Sequence, residues 1–267
     1  MHRTLIILSL CVAFASGCVR EYSSVSQRAA GPTNKATTGT TKTIVLVHGA
    51  FADGSSWDRV VPILEANGYN VVAVHQPLTS LADDIAATRR ILDAEPGDAV
   101  LVGHSYGGAV ISEAGTHAKV RALVYIAAFT PDAGESVNDL GKGQPPPPWA
   151  STLQIDQGGF ARLPADTVAK DFAQDVSSSE ARLIWAKQGP IALKNLDEKL
   201  TIAAWHAKPS WYVQTMRDHM IAPSAQADMA LRIRANVTSL EANHVVMLTK
   251  PAEVADVIMA AAAATAR

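Results

Sequence analysis

The sequence is nearly without cysteine. Its only two, Cys11 and Cys18, lie close to the N-terminus, so the rest of the chain can hold neither a disulfide framework nor a thiolate metal site. Stability has to come from a packed core. A charge excess is missing too: 23 Lys and Arg stand against 25 Asp and Glu, giving a formal net charge of −2 with no basic cluster. That balance leaves no electrostatic footprint for nucleic acid or for an anionic membrane surface. There is no apolar run of about twenty residues with which a helix crosses a bilayer. There is also no internal repeat, and no HExxH or closely paired His and Asp set of the kind that holds a metal. What is present, 267 residues of which 48 % are apolar and 18 % charged, is the composition of a globular protein with one large domain or two small ones.

The opening stretch MHRTLIILSLCVAFASGC has a basic start at Arg3, an apolar run over 5–15, and small residues at Ala15, Ser16 and Gly17 before Cys18. The run is too short to span a bilayer and has the pattern of a signal-peptide core. The Ala-Ser-Gly-Cys end resembles a bacterial lipobox, although Ala15 stands where leucine is usual. That resemblance implies lipidation at Cys18 and an exported lipoprotein of the cell envelope, on its periplasmic or surface face, with the lipid as its only link to the membrane. An ordinary cleaved secretory signal is the alternative. Residues 19–42 are rich in Ser, Thr, Gly and Ala and lack hydrophobic periodicity, so they read as a flexible tether. The domain is expected over 43–267.

From Thr43 onward, short apolar runs at 43–47, 71–74, 99–102, 122–126, 211–213 and 237–240 alternate with helix-like segments at 57–67, 81–93, 107–116, 224–235 and 251–264. This alternation predicts an α/β fold, a mostly parallel sheet with helices on both faces. The exception is about 131–208, which opens with PDAGES, contains four consecutive prolines at 145–148 and shows no clear strand. Its expected helices are 165–174 and 179–188. Because the alternation continues on either side of it, the stretch reads as an inserted helical cap.

Gly103-His104-Ser105-Tyr106-Gly107-Gly108 follows one predicted strand and opens a predicted helix. A serine exposed on so sharp a turn needs small neighbours. The helix start also aims unpaired amides at an oxygen that becomes negative during acyl transfer, the amide of Tyr106 among them. A serine hydroxyl attacks only when a base removes its proton, so a histidine oriented by a carboxylate is required. His244, in EANHVVML after the last predicted strand, is the base that chain order selects. His104 is expected to point away from the serine. Asp218, after the strand at 211–213, and Asp132, after the strand at 122–126, are the two candidate acids, with chain order favouring Asp218. The stretch LVHGAFADGSSW offers a second amide at Ala50, with Phe51 as fallback donor or pocket wall. Trp149, Phe160, Trp185 and Trp205 are candidate pocket residues of the cap.

The segments IVLVHGAFADGSSW, VLVGHSYGGAVI, ALVYIAAFTPDAGES, PSWYVQTMRDHMIAPSAQADMA and ANHVVMLTKPAEVADVI together resemble the α/β-hydrolase superfamily. Within it they are most similar to the branch of plant methyl esterases, hydroxynitrile lyases and bacterial esterase-like hydrolases. The resemblance implies the α/β-hydrolase fold and a serine esterase acting through a covalent acyl-enzyme. It implies a triad of Ser105, Asp218 and His244, with Ala50 and Tyr106 as oxyanion donors, a small-molecule ester as substrate, and no cofactor or metal. The lyases of the branch resemble one another in having Thr after the strand-end histidine and Lys after the catalytic one. Here those positions are Gly49 and Val245, which points to hydrolysis, and a serine nucleophile sets the chain apart from haloalkane dehalogenases. Lyase, perhydrolase or thioesterase chemistry, or a silent small-molecule-binding lipoprotein, are the other readings the same residues allow.

Overall fold

The computed structural model describes residues 43–266, so the expectations for a signal peptide, a lipidated Cys18 and a tether lie outside the described residues. In chain order the elements are β1 (Thr43–Val47), α1 (Val61–Ala66), β2 (Asn70–Ala73), α2 (Leu81–Ala94), β3 (Ala99–His104), α3 (Gly107–Ala114) and β4 (Val120–Ile126). There follow β5 (Gln154–Ile155), β6 (Phe160–Arg162), α4 (Ala165–Thr167), α5 (Ser178–Lys187) and β7 (Ile191–Ala192). The chain then continues through β8 (Ser210–Thr215), α6 (Pro223–Arg232), β9 (Asn236–Leu240), α7 (Val246–Thr249) and α8 (Pro251–Ala264).

The main sheet runs β2-β1-β3-β4-β8-β9, with every neighbouring pair parallel. All residues of β1 and β3 are buried. Successive side chains of a strand point to opposite faces, so this burial requires cover on both. One cover is α3, packed on β1, β3 and β4 and backed by α2; the other is α8, packed on β3, β4 and β8 and joined by α1. The predicted α/β architecture is therefore the one the chain adopts. Only the edge strands depart from the expected buried runs: β9 leaves Val237 half exposed.

The chain leaves β1 for β2 on one side, then returns to β3 on the other. The strand order reverses between β1 and β3, the place in an open α/β sheet beyond whose strand carboxyl ends ligands bind. His48 to Phe51 and Ser105 stand at that point.

β4 pairs directly with β8, Leu123 opposite Ser210 and Ile126 opposite Val213, so the intervening chain leaves the main sheet and re-enters it. The expectation that this stretch holds no strand needs correction: β5, β6 and β7 form a small antiparallel sheet. Strands this short have no readable period, and β6 finds its second partner far along the chain. The turn between β5 and β6 did leave a signal in Gly158-Gly159. Asp156 accepts the amides of Gly158 (2.8 Å) and Phe160 (2.9 Å), and Gly159 takes φ +77°, a backbone that asparagine or glycine tolerates and most residues do not. The expected helix at 165–174 is shorter, α4 passing into a π turn over Val168–Phe172. α5 begins where Ser177 accepts the amide of Glu180 at 3.2 Å, a side-chain cap on an otherwise unpaired donor.

Candidate active site

Ser105 stands between the last residue of β3 and the first of α3, with φ +53°. A left-handed backbone is costly for a residue with a side chain, and three main-chain hydrogen bonds hold it. The Ser105 amide donates to the Ile126 carbonyl (3.1 Å), and its own carbonyl accepts the amides of Gly108 (2.9 Å) and Phe129 (3.1 Å). The glycines around it are forced by close backbone approaches. A Cβ on Gly103 would lie 2.6 Å from the Gly107 carbonyl oxygen, and one on Gly108 would lie 2.2 Å from that of Phe129.

The loop after β1 presses against the same turn. A Cβ on Gly49 would lie 2.7 Å from the Cβ of Ser105, so the backbone leading to Ala50 abuts the serine directly. The loop is fixed from behind: His48 donates from Nδ1 to the Gly49 carbonyl at 2.9 Å, and Gln76 donates from Nε2 to the His48 carbonyl at 3.1 Å. Burial lowers the His48 pKa and keeps the ring neutral in that bond. Phe51, with φ +58°, turns the chain away again.

Asp218 and His244 follow β8 and β9, whose end loops are laced together by the Met216 amide on the Leu240 carbonyl (2.9 Å) and the Arg217 amide on the Ala242 carbonyl (3.0 Å). Both side chains are buried, and Nδ1 of His244 donates to Oδ2 of Asp218 at 2.8 Å. The same oxygen accepts the Thr215 hydroxyl and the Gln226 amide, each at 2.8 Å, while Oδ1 takes the amides of Met220 (2.7 Å) and Ile221 (3.0 Å). Burial alone would raise this carboxyl, but the His244 charge and the donors around it outweigh burial and hold it below the ordinary carboxylate value. The rival Asp132 faces elsewhere, accepting from Nε2 of the exposed His206 at 2.9 Å.

His104, expected to point away from the serine, packs against His244. Its Nε2 donates to the His244 carbonyl at 3.0 Å, and the two rings lie 4.6 Å apart between centroids. A carbonyl can only accept, so Nε2 carries the proton; burial, reinforced by the charge of His244, drives the His104 pKa far down and keeps it neutral. Thr215, Gln226 and His104 thus hold Asp218 and His244 in place, and nothing in their sequence spacing announced it. Phe172 was missed as well: it meets the His244 ring edge-on at 5.3 Å between centroids.

Of the candidate pocket residues, Phe51 and the half-buried Trp149 are in edge contact at 6.3 Å, with the Trp149 indole donating to the Met220 carbonyl at 3.1 Å. Trp185 has the Arg162 guanidinium 5.7 Å above its ring. Trp205 donates to the Pro131 carbonyl at 3.1 Å and packs on His206. Phe172 and Val245 also line a cavity of about 190 Å³ rimmed by Asp53, Asp58, Arg59, Glu180 and Lys187.

Residues 44–257 match the model of the Alpha/beta hydrolase family. The chain belongs to that family. Among curated relatives it is 28% identical over 243 residues to the pyrethroid hydrolase of Sphingobium wenxiniae, covering 80% of this chain and 85% of that one. It is 26% identical over 245 residues to Methylesterase 8 of Arabidopsis thaliana, covering 82% and 88%. Among solved structures, a pyrethroid hydrolase from Sphingobium faniae superposes with a TM-score of 0.73 at 23% identity, over 84% of this chain and 98% of that one. Polyneuridine aldehyde esterase gives 0.71 at 21% identity, over 82% and 98%. The plant methyl esterase branch indicated by the motifs is thus the one these relatives occupy, and these four are named as hydrolases and esterases.

Proposed function

We propose that the protein hydrolyses carboxylic esters through a covalent acyl-enzyme on Ser105. The observation that carries this reading is the buried 2.8 Å bond from His244 Nδ1 to Asp218. With that proton committed to the carboxylate, Nε2 is left as the basic nitrogen. Nε2 takes the proton of Ser105 as its oxygen attacks the ester carbonyl carbon. The carbonyl oxygen becomes an anion stabilised by the amides of Ala50 and Tyr106. Collapse re-forms the carbonyl and expels the alcohol, which leaves with the proton from His244. Water then gives its proton to His244 and attacks the acyl carbon, and the carboxylic acid departs as Ser105 regains its proton. Ala50, Tyr106 and the triad are the site residues of this reading; Phe51, Trp149 and Trp185 are its proposed pocket.

Hydrolysis is favoured over cyanohydrin cleavage because the flanking positions lack donors. Val245 is apolar and buried, and Gly49 has no room for a side chain against Ser105. Purified protein is therefore expected to hydrolyse a panel of esters of varied acyl length and alcohol size and to release no cyanide from mandelonitrile. Cyanide release without hydrolysis of any ester would overturn the choice. Export and lipidation at Cys18 are part of the same proposal, checked by the intact mass of the mature N-terminal peptide: an acylated Cys18 supports them, and an unmodified one reduces them to secretion.

A further inference from the structure

α2 buries Leu81, Ile85, Ala87, Thr88 and Leu92, and in the middle of that face it also buries a carboxylate, Asp84, fully removed from solvent. Three elements converge on it. Its Oδ1 accepts the Leu78 amide at 2.8 Å, and its Oδ2 accepts the Tyr106 hydroxyl at 2.8 Å and the side-chain amide of Asn195 at 3.3 Å. The Asn195 amide also reaches the Tyr106 hydroxyl at 3.3 Å. Tyr106 follows Ser105 and is the first residue before α3; Asn195 belongs to the segment between β7 and β8. The same segment is stitched to the loop before α2 by the Ala192 amide on the Leu78 carbonyl (2.9 Å) and the Leu81 amide on Glu198 (2.8 Å).

Stability does not account for this carboxylate. Burial pushes its pKa up to about 6, against the hydrogen bonds from Tyr106 and Leu78. The unfolded chain releases the same proton near pH 4. The native state therefore binds more protons than the unfolded one between those values and loses stability as the pH rises through them. The ionisable groups that face the cluster are Asp83 on the same helix, Tyr106, and Glu198 of the covering segment: the charge of Asp83 opposes ionisation of Asp84, and that of Glu198 opposes ionisation of Tyr106. A group that costs stability at neutral pH calls for another role.

We propose that Asp84 is a positioning residue: by holding the Tyr106 phenol it fixes the backbone amide beside Ser105 and couples that amide to the segment carrying Asn195. This rests on the ester-hydrolase reading, in which that amide stabilises the oxyanion. The phenol ring is buried and anchored at its far end, so the first turn of α3 cannot rock without breaking the bond to Asp84. Lost preorganisation lowers the rate of the chemical step and leaves ground-state binding of the ester largely alone.

The test compares Asp84→Asn, Tyr106→Phe and the double variant with wild type, using an ester that wild type cleaves, with active serines counted by a fluorophosphonate probe. Each single variant is expected to lose about tenfold in kcat per labelled serine with KM little changed, and the double variant to lose about the same, because both act through one bond. Inhibition by a trifluoromethyl ketone, which forms an oxyanion on the serine, should weaken in step with kcat/KM. Asp84→Asn should keep or raise the melting temperature at pH 8, since it removes a buried charge. Unchanged kcat per labelled serine in both single variants, or losses that multiply in the double variant, would overturn the proposal. A wild type that neither labels nor turns over would instead sink the ester-hydrolase reading on which it stands.

Discussion

Replacing Ser105 by alanine is expected to lower ester turnover by about 10⁶-fold and to leave the fold in place. The side chain removed is one hydroxyl, and the bonds that hold the turn run through the main chain, from the Ser105 amide to Ile126 and from Gly108 and Phe129 to the Ser105 carbonyl. The left-handed φ of +53° is already paid for by a residue with a Cβ, so alanine adds no strain. Steady-state hydrolysis together with a thermal melt checks both halves. His244→Ala should be similarly severe, and the double variant scarcely worse than either single one, since groups that act as a unit are not additive.

Asp218→Asn is expected to reduce kcat by about 10⁴-fold, whereas Asp132→Asn leaves it little changed. The asparagine offers an amide to His244 Nδ1, favours the wrong tautomer and brings no charge to stabilise the imidazolium. It also disturbs a carboxylate that accepts from Thr215, Gln226, Met220 and Ile221, so a melt is needed alongside the rate. Asp132 accepts from the exposed His206 and from the Ala133 amide, away from His244. Sensitivity at Asp132 with tolerance at Asp218 would mean that the acid is misassigned, and the serine mechanism would survive it.

The parts of the fold that could be read from the residues are those in which a local pattern carries the answer. Buried parallel strands show as continuous apolar runs, which is why β1 and β3 were visible, and Gly-x-Ser-x-Gly between strand and helix marks a turn whose backbone contacts exclude a Cβ. The small sheet of β5, β6 and β7 was hidden because its strands are too short for a period and its pairing is set by residues about 30 positions apart, Phe160 with Ala192. Choosing between Asp218 and Asp132 required distances. The residues that hold Asp218 and His244 were hidden for a related reason: Gln226 reaches Asp218 only after α6 folds back on β8, and His104 reaches the His244 carbonyl across 140 residues of chain. Asp84 left a trace, a carboxylate on the apolar stripe of α2, but Tyr106 and Asn195 are assembled around it only by the tertiary fold.

The central claim is that acyl transfer passes through Ser105, and trapping the intermediate tests it most directly. Wild-type protein mixed with an ester that it turns over is quenched in acid during the steady state, digested, and its peptides weighed. The account predicts that the peptide containing Ser105 gains the mass of the acyl group, and that Ser105→Ala, treated identically, neither gains it nor consumes ester. Turnover retained by Ser105→Ala, with no acylated peptide in either protein, would contradict it.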